Sequence, residues 1–275
     1  MTERTDQWPR RVLITGAAGA VGSVLRAGFQ GLYKHLRLTD ISPLEDPAPG
    51  EEIMLADMRD MAALTPVMAD VDCVVHLAGL ADEDNWEKVS SLAIDGCYTV
   101  FEAARLAGVK RIVYASSNHA IGFHPRSKAL DLEVPLRPDG RYGLSNAFGE
   151  LLGRLYADKY GMSIAAVRIG SFRPKPEDRR QLMTWLSHRD AVQLFRRCVE
   201  HPGYHYVCVY GVSANRDANW DNSQVDWLGY QPQDNAADYE AEILAQPDDE
   251  DAIAKALHGG RFCSDEFDGD LTKIR

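Results

Sequence analysis

Three glycines near the start of the chain, Gly16, Gly19 and Gly22, punctuate the run Arg-Val-Leu-Ile-Thr-Gly-Ala-Ala-Gly-Ala-Val-Gly over residues 11–22. An apolar run, a glycine-spaced turn and a helix-like continuation read as strand, loop and helix. Glycine lets backbone come close to a phosphate, and a helix N-terminus presents free N–H donors to a pyrophosphate. The G-x-x-G-x-x-G spacing is one residue longer at its first gap than the dinucleotide fingerprint, with the same physics. Ala18, Ala20 and Val21 sit inside the turn, so their backbone is expected at the same site. Asp40 ends the next apolar run, followed by Ile41. A carboxylate there accepts from both hydroxyls of an adenosine ribose and repels a 2′-phosphate, which favours NAD over NADP. A turn cap before Ser42-Pro43 is the plainer role for Asp40, and Arg37 need not aim at the ribose. Asp57, beside Met58, is placed either to meet the adenine amino group or to cap a helix. Leu77, Ala78 and Gly79 let backbone pass close to the cofactor, while His76 behind two valines reads as a satisfied core histidine.

Positioning these groups requires a sheet. Short apolar runs that suit buried parallel strands lie at 11–15, 36–39, 52–55, 73–77, 111–115 and 163–168. Between them, residues 93–107 place Ile94, Cys97, Val100, Phe101 and Ala104 on one helical stripe. Alternation of strand and helix implies βαβ units and an α/β fold, a doubly wound parallel sheet of the Rossmann kind. After Arg168 the pattern gives way to a Pro-rich, charged loop, and Ser187-His-Arg-Asp190 then has the spacing of a capping box opening a helix. The expected organisation is one domain over 1–275: a dinucleotide-binding core at 11–170 and a small substrate-binding elaboration at 171–275. The acidic tail from Gln246 reads as solvated surface or subunit packing.

The 275 residues, 45% of them hydrophobic, suffice for one substantial core. A formal net charge of −11 argues against a nucleic-acid partner, which calls for a basic face. No apolar run is long enough for a membrane span, and residues 1–8 are too polar for a secretory signal, so a soluble cytoplasmic protein is expected. Cysteines 73, 97, 198, 208 and 263 are odd in number and widely spaced, which reads as reduced core residues with no disulfide framework and no metal site.

The Thr-Gly-x-x-Gly-x-x-Gly turn, Asp40, Asp57, His76-Leu-Ala-Gly, Tyr114-Ala-Ser-Ser and a helix-opening Tyr142 together resemble the short-chain dehydrogenase/reductase superfamily, in its extended NAD-dependent epimerase/dehydratase branch. Within it the chain is most similar to uronate dehydrogenases, through residues 115–122, Arg137-Pro-Asp-Gly-x-Tyr-Gly-Leu-Ser145, Val167-Arg-Ile-Gly-Ser171, Arg180-x-x-x-Thr-Trp185-x-Ser-His188 and the 213–223 segment. That resemblance implies an NAD-dependent dehydrogenase that oxidises C1 of a cyclic sugar acid, or a related aldose, to a lactone. By position, Tyr142 is implied as general base with Ser117 beside it and Asn146 in the next turn. Ser117, Asn118 and His119 are implied to hold sugar hydroxyls, Ser171 to lie near the carboxylate, and Arg180, rather than Arg179, to clamp it. The plainer roles are a turn cap for Ser116 and Ser117, packing for His119 and solvation for Arg180. Self-association into a homo-oligomer is implied as well, with no membrane or nucleic-acid partner.

One departure touches the chemistry. The family carries lysine four residues after the tyrosine, where this chain has Asn146. An ammonium about 4 Å from a phenolate at an effective dielectric of about 20 is worth roughly 4 kcal/mol. Without it, a tyrosine of ordinary pKa near 10 is ionised to about one part in a thousand at neutrality. Impaired or divergent activity is therefore expected. Ala93 and Ala81 also stand where the relatives have Asn and Ser, which points to divergence rather than one isolated change. The competing expectations are an NAD-dependent sugar epimerase or dehydratase, for which the roughly 100 residues after Ser171 leave little room for a nucleotide-sugar, and a non-catalytic NAD-binding regulator.

Overall fold

A computed structural model describes residues 9–274; the polar N-terminal stretch weighed above as a signal lies outside them. Strands β1 (Arg11–Thr15), β2 (His35–Thr39), β3 (Glu51–Ile53), β4 (Cys73–His76), β5 (Arg111–Ser117) and β6 (Ser163–Ile169) fall where the apolar runs lie, with ends shifted by one or two residues. β3 ends at Ile53, and beyond it the Met54 and Ala56 N–H groups still donate to the Leu38 and Asp40 carbonyls while the Leu55 side chain faces solvent. Two short strands, β7 (Ser171–Phe172) and β8 (Trp185–Leu186), pair apart from the main sheet, and β9 (Tyr206–Gly211) joins its edge. The alternating Tyr-Val-Cys-Val-Tyr run of β9 carried a strand signal that the sequence reading passed over.

The helices are α1 (Ala20–Phe29), α2 (Met61–Val67), α3 (Trp86–Lys88), α4 (Gly96–Leu106), α5 (Arg141–Tyr160), α6 (Gln181–Thr184), α7 (His188–Glu200), α8 (Glu240–Leu244), α9 (Ala252–Ala256) and α10 (Arg261–Ser264). The main sheet runs β3-β2-β1-β4-β5-β6-β9, every pair parallel. Because side chains alternate across a strand, Leu13, Val74, Ile112 and Ile164 pack against α2, α4 and α5 on one face. Val12, Val75, Val113 and Ala165 pack against α1 and α7 on the other. Strand order reverses between β1 and β4, and the crevice beyond their carboxyl ends is where such sheets bind ligands.

The continuous helix expected at 93–107 is instead a π-helical turn, Val89–Asp95, feeding α4. The stripe Cys97, Val100, Phe101 and Ala104 is buried as expected, while Ile94 is half-buried where the wider turn rotates it. Ser187 caps α7 by accepting from the Asp190 N–H at 3.1 Å. The reciprocal half of the capping box is absent. Asp190 turns to the backbone N–H groups of Gln233 and Asp234 instead. All five cysteines are free, and Cys208 is only half-buried. Among the described residues, no helix is long and apolar enough to cross a membrane, and no group of His, Cys, Asp or Glu is arranged to hold a metal ion.

Candidate active site

β1 delivers Thr15 to the crevice, where its hydroxyl accepts from the N–H groups of Leu77 and Ala78 at 3.2 Å each and meets His76 Nδ1 at 2.9 Å. This ties the ends of β1 and β4 together. Gly16 follows with φ +69°, and a Cβ on it would lie 2.7 Å from the Ala78 nitrogen; a Cβ on Gly22 would strike the Gly16 carbonyl. Only glycine tolerates either position. α1 starts after Gly19 with no side chain capping it, so its first N–H groups are left for a ligand.

Gly16, Ala18, Gly19, Ala20, Val21, Gly22, Asp40, Ile41, Asp57, Met58, Leu77, Ala78 and Gly79 all line one cavity of ≈ 680 Å³. The cradle fits a dinucleotide. Asp40 has the plainer role weighed for it, closing the turn by accepting from Ser42 N–H at 2.9 Å and Ala18 N–H at 3.0 Å, and it also lines the cavity with acceptor lone pairs to spare. Asp57 does not cap a helix. Asp60 caps α2, while Asp57 pairs with Arg59 at 2.6 Å, which holds its carboxyl below the usual range. Arg37 points away from the crevice to Glu52 and the carbonyls of Val67 and Ala69. Burial pushes the His76 imidazole down to about 4, so it is a neutral core histidine, but not the satisfied one expected: Nδ1 meets Thr15 while the buried Nε2 has no hydrogen-bond partner among the described residues.

The other end of the same cavity receives Ser117, Asn118, His119, Tyr142, Asn146, Ser171 and Arg180. Ser116 also borders the cavity, but its hydroxyl donates to Glu150 at 2.6 Å and caps no turn. Ser117 caps the turn after β5 by accepting from the His119 N–H at 3.2 Å, and it lines the cavity together with Tyr142. Arg180 is fixed on three sides: Nε donates to the His258 carbonyl at 2.8 Å, Nη1 to Ser171 Oγ at 3.5 Å and, with the Asn118 amide assigned so that its Nδ2 donates to the Ile169 carbonyl, Nη2 to Asn118 Oδ1 at 2.6 Å. Every one of these partners is neutral. Burial lowers the Arg180 pKa from the usual guanidinium range, and Arg126 adds to that. Arg179 reaches the carbonyls of Leu244 and Gln246 instead.

Tyr142 stands in the first turn of α5, and Glu83 caps that turn by accepting from the N–H groups of Arg141 at 3.0 Å and Tyr142 at 2.8 Å. Asn146 Nδ2 donates to the Tyr142 carbonyl at 3.0 Å. Burial raises the phenol pKa above its ordinary value, and hydrogen bonds from Ser117 and Asn146 oppose it only in part. The phenol is therefore held protonated at neutral pH.

Residues 12–189 match the model of the NAD dependent epimerase/dehydratase family. The chain belongs to that family. Uronate dehydrogenase from Pseudomonas putida is 44% identical over 86% of this chain and 89% of its own. A tyrosine-to-alanine variant of the Agrobacterium tumefaciens uronate dehydrogenase, solved in complex with NAD, superposes with a TM-score of 0.88 at 42% identity, covering 93% of this chain and 97% of that one. Glucuronic acid dehydrogenase from Chromohalobacter salexigens gives 0.89 at 41%, covering 96% and 99%. The resemblance read from the motifs is thereby borne out over nearly the full length.

Four residues of this family member that shape the cavity escaped the sequence reading. Phe262 lines it from the tail and stacks on His119 with centroids 4.0 Å apart, and the His258 carbonyl holds Arg180. The tail is thus not merely solvated surface. Asp139 bonds His119 Nδ1 at 2.6 Å, and Glu83 caps the helix of Tyr142. Asp139 lay inside a quoted motif, whereas nothing in the spacing of Phe262, His258 or Glu83 marks them.

Proposed function

We propose that this chain is an NAD-dependent oxidoreductase of the uronate dehydrogenase type, which oxidises C1 of a cyclic uronic acid to the lactone. The observation that carries the reading is Arg180, a guanidinium fixed by neutral groups at the cavity wall and, among the described residues, without a carboxylate at ion-pair distance. A buried charge left without a counterion is costly, so the site is completed by an anionic substrate. The planar guanidinium suits a carboxylate in two parallel hydrogen bonds.

With the carboxylate on Arg180 and near Ser171, Asn118 and His119 face the sugar hydroxyls, and the Tyr142–Ser117 pair meets the reacting one. Bound NAD supplies the hydride acceptor. The uncapped start of α1 would hold its pyrophosphate and Asp40 its adenosine ribose. The closing of β1 on β4 through Thr15 keeps that surface rigid, so binding need not order it. The test is NAD reduction by the purified protein with galacturonate, glucuronate and the matching neutral aldoses. Turnover of the uronates with a clear preference over the aldoses is expected; no turnover, or a preference for neutral sugars, defeats the reading.

A further inference from the structure

A phenol held protonated, with an amide where an ammonium would stand, is a poor proton acceptor at neutral pH. One other acceptor faces the same end of the cavity. His119 lies with its ring centroid 5.7 Å from that of Tyr142 and lines the cavity, its side chain 12% exposed. Nδ1 is bonded to Asp139 Oδ2 at 2.6 Å, while Nε2 has no hydrogen-bond partner among the described residues. Phe262 stacks on the imidazole at 4.0 Å, fixing its plane and excluding water from one face.

Asp139 is built in. Its side chain is fully buried and, among the described residues, forms no ion pair with Lys or Arg. Gly122, Gly143 and Gly259 surround it so closely that a Cβ on any of them would collide with its carboxylate. Backbone bonds from Asp139 N–H to the His119 carbonyl at 3.2 Å and from Arg137 N–H to the Ala120 carbonyl at 3.0 Å lock the two segments in register. A carboxylate so placed makes Nδ1 the donor nitrogen and leaves Nε2 as the acceptor.

We infer that the His119–Asp139 pair takes the proton from the reacting hydroxyl in this chain, with Tyr142 acting as a neutral hydrogen-bonding phenol. The inference rests on the sugar-acid dehydrogenase reading. The O–H bond at C1 breaks and its proton passes to His119 Nε2. The freed oxygen pair makes the C1=O bond of the lactone as the C1–H pair leaves as hydride to the nicotinamide oxidant. The imidazolium, balanced by Asp139, then releases its proton to solvent. The titratable and charged groups around His119 are Asp139, Tyr142 on α5, Arg180 bonded to the neighbouring Asn118, and Cys263 bonded to the Gly122 carbonyl.

The test compares His119→Gln, Asp139→Asn and Tyr142→Phe in the full chain, each first shown to bind NAD and so to be folded. At pH 7 with galacturonate, His119→Gln and Asp139→Asn are expected to lower kcat about 10²–10³-fold while KM changes only a few-fold, with residual activity returning in alkali. Tyr142→Phe is expected to keep kcat within about tenfold at pH 7, since loss of one hydrogen bond is worth about 1 kcal/mol. Nitrogen-15 NMR of the unliganded protein is expected to show His119 protonated at Nδ1, and Asp139→Asn to change that tautomer. Abolition of turnover by Tyr142→Phe, with His119→Gln moving only KM, overturns the inference. So does an Nε2-protonated tautomer. A protein that reduces no NAD with any uronate overturns the parent reading and this one with it.

Discussion

Arg180 Nε donates to the carbonyl of His258 at 2.8 Å across 78 residues of sequence. Gly260, with φ +64°, comes so close that a Cβ on it would lie 2.6 Å from Arg180 Cδ. The C-terminal segment thus sets the guanidinium at which the substrate carboxylate is proposed to bind. Arg180→Gln is expected to lower kcat/KM for galacturonate about 30–150-fold, the 2–3 kcal/mol of a charge-assisted hydrogen bond. Turnover of neutral aldoses should change little. Steady-state kinetics with both substrate types checks this, and an equal loss on both would place Arg180 in packing alone.

Asn146→Lys should restore the ammonium beside the phenol. Burial raises the Tyr142 pKa, so activity that depends on tyrosinate appears only as pH rises beyond the ordinary tyrosine range. A lysine there is expected to move that alkaline limb down by roughly 2–3 pH units. The measurement is the kcat–pH profile of Asn146→Lys against its parent, both carrying His119→Gln so that the residual activity depends on the phenol, and an unmoved limb would show that residue 146 does not govern the phenol.

Asp40→Ala removes the acceptor of the Ala18 and Ser42 N–H groups as well as the proposed partner of the ribose. NAD binding should weaken about 10–150-fold, at the 1.5–3 kcal/mol typical of hydrogen bonds to charged groups. The preference over NADP should narrow, because the charge repelling a 2′-phosphate is gone. Titration calorimetry with both dinucleotides checks both effects; unchanged NAD affinity would leave Asp40 with the turn alone.

His258 accepts from Trp220 Nε1–H at 3.1 Å and, through Nε2–H, donates to the Lys128 carbonyl at 3.1 Å. Protonating Nδ1 breaks the first bond inside a closed core, and burial pushes the imidazole from 6.5 down to about 4. Between these values the unfolded chain binds the extra proton. This contribution to stability is therefore complete above about pH 6.5 and is lost as pH falls through about 4. His258→Asn, which does not titrate, is expected to lose about 2 kcal/mol less than the unsubstituted protein between pH 7 and pH 5. Urea unfolding at the two pH values decides it, and equal losses would remove His258 as the titrating group.

Much of the cofactor half was legible in order along the chain. The glycine turn, Asp40 and the His76-Leu-Ala-Gly segment sit at strand ends, and a parallel sheet delivers strand ends to one crevice whatever the loops between them do. Local periodicity therefore sufficed for Gly16, Asp57 and Ala78 to be assigned to one site, and for Tyr142 to be placed at the start of a helix. What periodicity does not encode is contact between distant segments. The stacking of Phe262 on His119, the His258 carbonyl on Arg180 and the Glu83 cap on α5 depend on how irregular chain folds back, and no spacing rule covers that. The π-helical turn at Val89–Asp95 likewise lies against α5, a contact with a distant segment that the stripe, read as continuous α-helix, does not encode. By itself the sequence determined which dinucleotide scaffold this is and that Asn146 withholds a charge. Only the tertiary structure decided that a buried Asp139 stands behind His119, because three glycines far apart in the chain must converge to make room for that carboxylate.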